Sequence, residues 1–337
     1  MGTSKKHAGA AIAVVLALAP ALAACGGGDG NGGDGTASQD SRPAPTPKLL
    51  EAAGFPRAAN QSMRNVIGGL LQGPELAPSV SLILPGRQRF GFALFDRGNR
   101  QIAGARVGLY VSRGLDETAR GPYPARSERL AVDGRYRSKQ TAQDPDAARS
   151  VYVAELPFPS SGTYLVSAAA ELGNQLVATS PVQVTVSARS PVPGVGDRAI
   201  RVHTPTRASV GGDLSKIDTR TPPDTMHEVD LADALHAHHP VLLLFATPAL
   251  CESRVCGPVT DIAEQVKAQY GDRVDFIHME IYNDNEISKG PRPQFSAWHL
   301  RQEPFAFAID SRGIVVARLQ GAFSARELTA AVRRAMG

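Results

Sequence analysis

The run Pro240-Val241-Leu242-Leu243-Leu244-Phe245-Ala246 constrains this chain more than any other stretch of it. It carries no charge and does not alternate between apolar and polar residues. That pattern suits a central strand buried on both faces. Helical spacing precedes it at 228–237, where Leu231, Ala234 and Leu235 share a face. A second helix is predicted from about Pro258, with Val259, Ile262, Val266 and Tyr270 on one side. A strand over 273–282, a short helix over 294–300 and a hairpin of 305–310 and 314–320 follow. The hairpin turns at Ser311-Arg312-Gly313, and a last helix spans 325–336, with Ser324 and Glu327 spaced as a capping box. Alternating elements of this kind predict an α/β domain over 227–337.

The middle of the chain has another period. Segments 79–84, 88–95, 105–112, 150–156, 162–170 and 175–186 are short and β-rich, and turn residues such as Pro85-Gly86, Gly98-Asn99 and Gly173-Asn174 separate them. Short strands without helical spacing predict an all-β, immunoglobulin-like sandwich over 78–187. Gly162-Thr163-Tyr164, entering a strand, resembles the tyrosine corner of such domains. This region contains no cysteine and no acid–histidine grouping, so it is expected to act as a spacer or binding module. Residues 49–77 read as a loosely helical lead-in. Residues 188–226, rich in Pro, Gly and Thr, read as a linker and the start of the C-terminal domain.

The chain begins like an exported protein. Lys5 and Lys6 precede an apolar stretch, 8–22, of signal-peptide length and too short for a comfortable membrane span. It ends in Leu22-Ala23-Ala24-Cys25, which resembles the lipobox of bacterial lipoproteins. The resemblance implies a signal peptide over 1–24, a lipid on the Cys25 thiol, and attachment to the cell membrane on its extracytoplasmic face. Residues 26–48 are mostly Gly, Asp, Ser and Pro, and are expected to be a disordered tether.

The formal net charge of +4 falls by two if Lys5 and Lys6 are removed. So weak a balance, without a basic run interleaved with aromatics, excludes nucleic acid as an expected partner. With Cys25 lipidated, Cys251 and Cys256 remain as one pair for an oxidising compartment.

The order of C-terminal elements, the cysteine-bearing turn after Pro240–Phe245, Cys256-Gly257-Pro258, and Glu303-Pro304-Phe305 before the hairpin together resemble the thioredoxin fold. The likeness covers roughly 195–337. It implies thiol–disulfide exchange with exported proteins, no cofactor, and catalytic residues Cys251, Cys256 and Pro304, the proline being cis and facing the cysteines. Physically, a cysteine at a helix N-terminus has its thiolate stabilised by the dipole and free N–H groups. Arg254 would favour that thiolate and Glu252 would oppose it.

The chain also departs from the family. The spacing is C-x4-C instead of C-x-x-C, so a disulfide requires Cys251 in the loop and Cys256 near the helix start. Leu244 stands where thioredoxins bury an aspartate, and Leu250 where they have tryptophan. Either cysteine fits the role of nucleophile. Two other readings stay open: a non-catalytic lipoprotein in which the disulfide only pins the turn, and a copper chaperone of the Sco type with Cys251, Cys256 and His299 as ligands. His236, His238 and His239 read as a solvated helix end, 283–286 as a loop, and Trp298 as packing.

Overall fold

In the computed structural model, which describes residues 54–337, the alternating C-terminal pattern forms a four-stranded sheet. Its order is Asp275–Met279, Val241–Phe245, Phe305–Ile309, Val315–Gln320. The first pair is parallel and the other two are antiparallel. The order of helices and strands and the two-one-three-four arrangement of the sheet define a thioredoxin-like domain. Successive side chains of a strand leave on opposite faces. Val241, Leu243 and Phe245 accordingly enter one buried cluster, with Trp298, Phe295 and Phe307, while Leu242 and Leu244 enter another.

Helices Leu231–His236 and Pro293–Ala297 cover the first face, and helices Cys256–Tyr270 and Ala325–Met336 cover the second. Thus the apolar run is the central strand its composition predicted. The capping box forms as read: Ser324 Oγ accepts from Glu327 N at 3.2 Å, and Glu327 accepts from Ser324 N. Trp298 is fully buried against Phe245 and Phe307.

Residues 71–186 form ten hydrogen-bonded strands, eight in one continuous path and two, Gln101–Ile102 and Val182–Val186, branching from it. Alternate residues of Gly86–Phe95, Arg106–Ser112, Ser150–Phe158 and Gly162–Leu172 meet in a common core that includes Phe90, Phe92, Leu109, Leu156 and Val166. Three strand expectations change. The strand is Glu75–Pro78, and of residues 79–84 only Ile83 makes an isolated bridge, to Val186. Segment 175–186 breaks into Gln175–Ala178 and Val182–Val186 around Ser180-Pro181. Arg120–Arg129 is a strand that the sequence conceals behind Pro122, Pro124 and four charged residues. Its first half pairs with Arg106–Ser112 and its second with Ser150–Phe158, which joins the two halves of the β region. In the lead-in, helix Met63–Gly68 is capped by Ser62.

The described residues fall in one compact unit, and the β region is built into the second sheet's packing. Leu130, Val151 and Val153 belong to the same buried cluster as Ile262, Phe323 and Val332. Arg89 pairs with Glu327 at 2.7 Å, and Arg326 pairs with Glu128. Gly321 has φ 63°, and a Cβ there would lie 1.6 Å from the Ser79 carbonyl oxygen, so the crossing requires glycine. Residues 188–226 are no free linker either: Val192, Ile217, Asp218, Arg220 and Asp224 are all buried. The expected signal peptide, Cys25, the expected tether and residues 49–53 lie outside the described residues. No helix among those described is long and apolar enough to cross a membrane.

Candidate redox site

The loop after strand Val241–Phe245 carries Cys251, and helix Cys256–Tyr270 begins on Cys256. The two form a disulfide with Cα atoms 5.9 Å apart, within the ordinary range of roughly 4.4–6.8 Å. The C-x4-C spacing is accommodated as the geometry demanded, one cysteine in the loop and one at the helix start. Cys256 is fully buried and Cys251 half-buried.

Inside the loop Arg254, at φ 55°, folds the chain back, its N–H donating to the Cys251 carbonyl at 3.1 Å. The β region braces this turn. Ala148 N donates to the Arg254 carbonyl at 3.1 Å, and the Arg254 guanidinium pairs with Asp144 at 2.5 Å and Asp146 at 3.4 Å. Arg254 therefore spends its charge on these acids. Helix Lys139–Gln143 and the cysteine loop border a groove of about 650 Å³ that includes Gln140, Asp144, Leu250, Cys251 and Pro258.

The Glu303–Pro304 peptide is cis, as the resemblance implied for Pro304. The unforeseen neighbour is Glu303 itself. A carboxylate oxygen of Glu303 and both cysteine Sγ atoms lie within 4.8 Å of one another. Burial, reinforced by the charge of Glu280, pushes the Glu303 carboxyl up to about 8, against hydrogen bonds from Thr247 that hold it down. Its Oε2 is buried without a hydrogen-bond partner. A carboxyl that keeps its proton near neutral pH is thus placed beside the pair. The only signal of it in the sequence was its place before Pro304.

His299 lies outside that group; it is exposed, with φ 58°, just after helix Pro293–Ala297. The other candidates sort as read. Nδ1 of exposed His238 is 3.1 Å from the Ser311 carbonyl, and Nδ1 of His239 is 3.1 Å from Asp275. Lys289 pairs with Asp284 and Glu286 in the 283–286 loop.

Next to the loop lies a buried polar layer that the sequence did not reveal. Glu280 Oε1 accepts from Thr219 N and Oγ1 at 2.7 and 2.8 Å, and Thr219 Oγ1 accepts from Ala249 N at 3.1 Å. This chain ties the cysteine loop to strand Asp275–Met279 and its extension. His278 Nδ1 bonds Asp224 at 2.7 Å and its Nε2 donates to the Ala246 carbonyl at 3.0 Å. Burial opposes a charge on His278, yet Asp224 more than offsets it and raises the imidazole to about 10.

A thioredoxin-like domain with a disulfide at the start of its first long helix is the class that these elements define. Among solved structures, the chain is similar to a putative thiol:disulfide interchange protein DsbE from Chlorobium tepidum. The two are 16% identical with a TM-score of 0.31, over 43% of this chain and 99% of that one. It is also similar to a thioredoxin-family thiol:disulfide interchange protein from Chlorobium tepidum TLS, at 16% identity and TM-score 0.27, over 41% and 100%. No protein-family model matches the chain, and no curated protein matches it.

Proposed function

We propose that this chain is a lipid-anchored, extracytoplasmic thiol–disulfide oxidoreductase that acts on exported proteins, with Cys251 and Cys256 as its redox pair. The observation that carries the reading is the Glu303 carboxyl, pushed up to about 8 by burial, within reach of a disulfide whose buried sulfur sits at a helix N-terminus. A client thiolate attacks the half-buried Cys251 Sγ, forming a mixed disulfide and breaking the Cys251–Cys256 bond. The electron pair goes to Cys256 Sγ, where the helix N–H groups stabilise it and Glu303 supplies a proton. A second client thiolate then displaces Cys251, leaving an oxidised client and a reduced pair. The same steps in reverse reduce a client. Pro304 and the groove beside Cys251 are where the client segment would lie.

The β region, in this reading, is an immunoglobulin-like module. Tyr164 supports that assignment, because its hydroxyl donates to the Ser160 carbonyl at 2.9 Å and accepts from Ser160 N at 3.3 Å, the bonding of a tyrosine corner. Copper transfer fits less well. The third group at the cysteines offers a hard carboxyl oxygen, which does not suit Cu(I), and His299 is not among the neighbours.

Thiol titration against a glutathione redox buffer tests the exchange. A potential above about −300 mV, lost with Cys251→Ser, supports it; a potential well below that value marks a structural staple and overturns it. The anchor is tested separately by labelling cells with a radioactive fatty acid. The label should reach the wild-type chain and not Cys25→Ser.

A further inference from the structure

The disulfide does not account for four buried side chains on the far side of its loop. Asp218, Asp224, His227 and His278 are each 4% exposed or less, and one ligand atom from each lies within 4.8 Å of the other three. His227 Nε2 is 3.4 Å from Asp218 Oδ2 and 3.4 Å from Asp224 Oδ1. Neither of its ring nitrogens has a hydrogen-bond partner. A sealed imidazole facing two carboxylates, too far for a good hydrogen bond, is costly unless something joins them.

We propose that Asp218, Asp224, His227 and His278 form a structural zinc site. The spacing supports it. Donors about 2.0–2.1 Å from a tetrahedral ion stand about 3.3–3.4 Å apart, which is the separation His227 keeps from both carboxylates. The surroundings are those of a ligand set. His278 donates Nε2–H to the Ala246 carbonyl, which leaves Nδ1 turned to the cluster. Asp218 Oδ1 accepts from Arg220 N and Oδ2 from Asp224 N, both at 2.7 Å, and Asp224 Oδ1 accepts from Met226 N at 2.8 Å. Both carboxylates are thereby oriented by backbone.

Charge fits as well. Two carboxylates and two neutral imidazoles around a divalent cation sum to zero, which a sealed site favours. Borderline nitrogen and oxygen donors in a four-coordinate set suit Zn²⁺. Binding replaces the proton shared by His278 Nδ1 and Asp224 Oδ2, now 2.7 Å apart, and releases it to solvent. The ion would clip the 218–227 segment to strand Asp275–Met279 behind Ala246, where the cysteine loop begins. With four protein ligands and no open position, its role is structural and independent of exchange at Cys251–Cys256.

Elemental analysis of the purified full chain tests this, alongside refolding from chelator with and without one equivalent of Zn²⁺. We expect about one zinc per chain, unchanged in the Cys251→Ser/Cys256→Ser double variant, and at least tenfold less in Asp218→Asn and His227→Gln. Zinc should also raise the Tm of the refolded chain by several degrees. If those variants fail to fold, Co²⁺ replacement in the wild type still decides. Visible d–d bands of a tetrahedral ion without a sulfur-to-cobalt charge-transfer band support the site. The proposal is overturned by a chain that holds no zinc and whose Tm does not respond to it. It is equally overturned by metal that disappears with the cysteines, or by a sulfur charge-transfer band.

Discussion

The two faces of the thioredoxin-like sheet are equally dry and are held by different physics. On strand Asp275–Met279, Ile277 and Met279 turn toward Trp298, Phe245 and Phe307, while His278 between them turns toward Asp224. The aromatic face draws on area: each ring removes apolar surface from water and no partner is irreplaceable. On the other face the inner apolar cluster meets a layer of charges, and there every group depends on a particular neighbour. A buried pair adds little net stability over an apolar filling, but losing one member is severe because the other stays behind unpaired.

Five substitutions sharpen or break this contrast. The largest effects are expected on both faces. Trp298→Ala should cost about 3–5 kcal/mol in denaturant unfolding, as truncation of a buried aromatic does. Asp224→Ala should also cost about 3–5 kcal/mol, by stranding His278. The second loss should be partly recovered by adding His278→Leu, whereas no second substitution of comparable size should rescue the first. A simple sum of the single losses in the Asp224/His278 pair would break the contrast.

Glu303→Gln comes next. The native carboxyl holds its proton to about pH 8, whereas in the unfolded chain it releases it near the ordinary 4.5. Its contribution is therefore fully present below about 4.5 and is lost as pH rises through 8. The loss can reach a few kcal/mol, at about 1.4 kcal/mol for each tenfold change in the proton equilibrium. The glutamine variant should unfold with a flatter pH dependence over that window, and its exchange rate should lose the inflection near pH 8. The smallest effect is Ser324→Ala, which removes a cap from the helix over the charged face and should cost about 1 kcal/mol. Its cost should be the same at pH 5 and pH 9.

The contrast also explains what could be read from residues alone. The aromatic face was legible because an uncharged run such as Val241–Phe245 has few folded roles, and Leu243 and Phe245 need no particular partner to be buried. The capping box and the hairpin turn at Gly313 were legible for a similar reason: each is local. The cysteine pair could be placed because C-x4-C leaves only one bridging geometry. The charged face was hidden because its acids look like loop residues. Asp218 and Asp224 lie in a Pro- and Thr-rich stretch that reads as linker, and only their partners on strand Asp275–Met279 bury them. Asp224-x-x-His227 was the one local hint. Arg120–Arg129 was hidden because its prolines and charges are tolerated in a strand that changes neighbours half-way. Glu303 was seen only as the residue before a proline.

Leu130, Val151 and Val153 share their buried cluster with Ile262, Phe323 and Val332, more than a hundred residues further on. This sets an order in time. A chain made from its N-terminus completes the ten β strands before helix Cys256–Tyr270 exists, so that apolar patch stays uncovered until the thioredoxin-like domain folds against it.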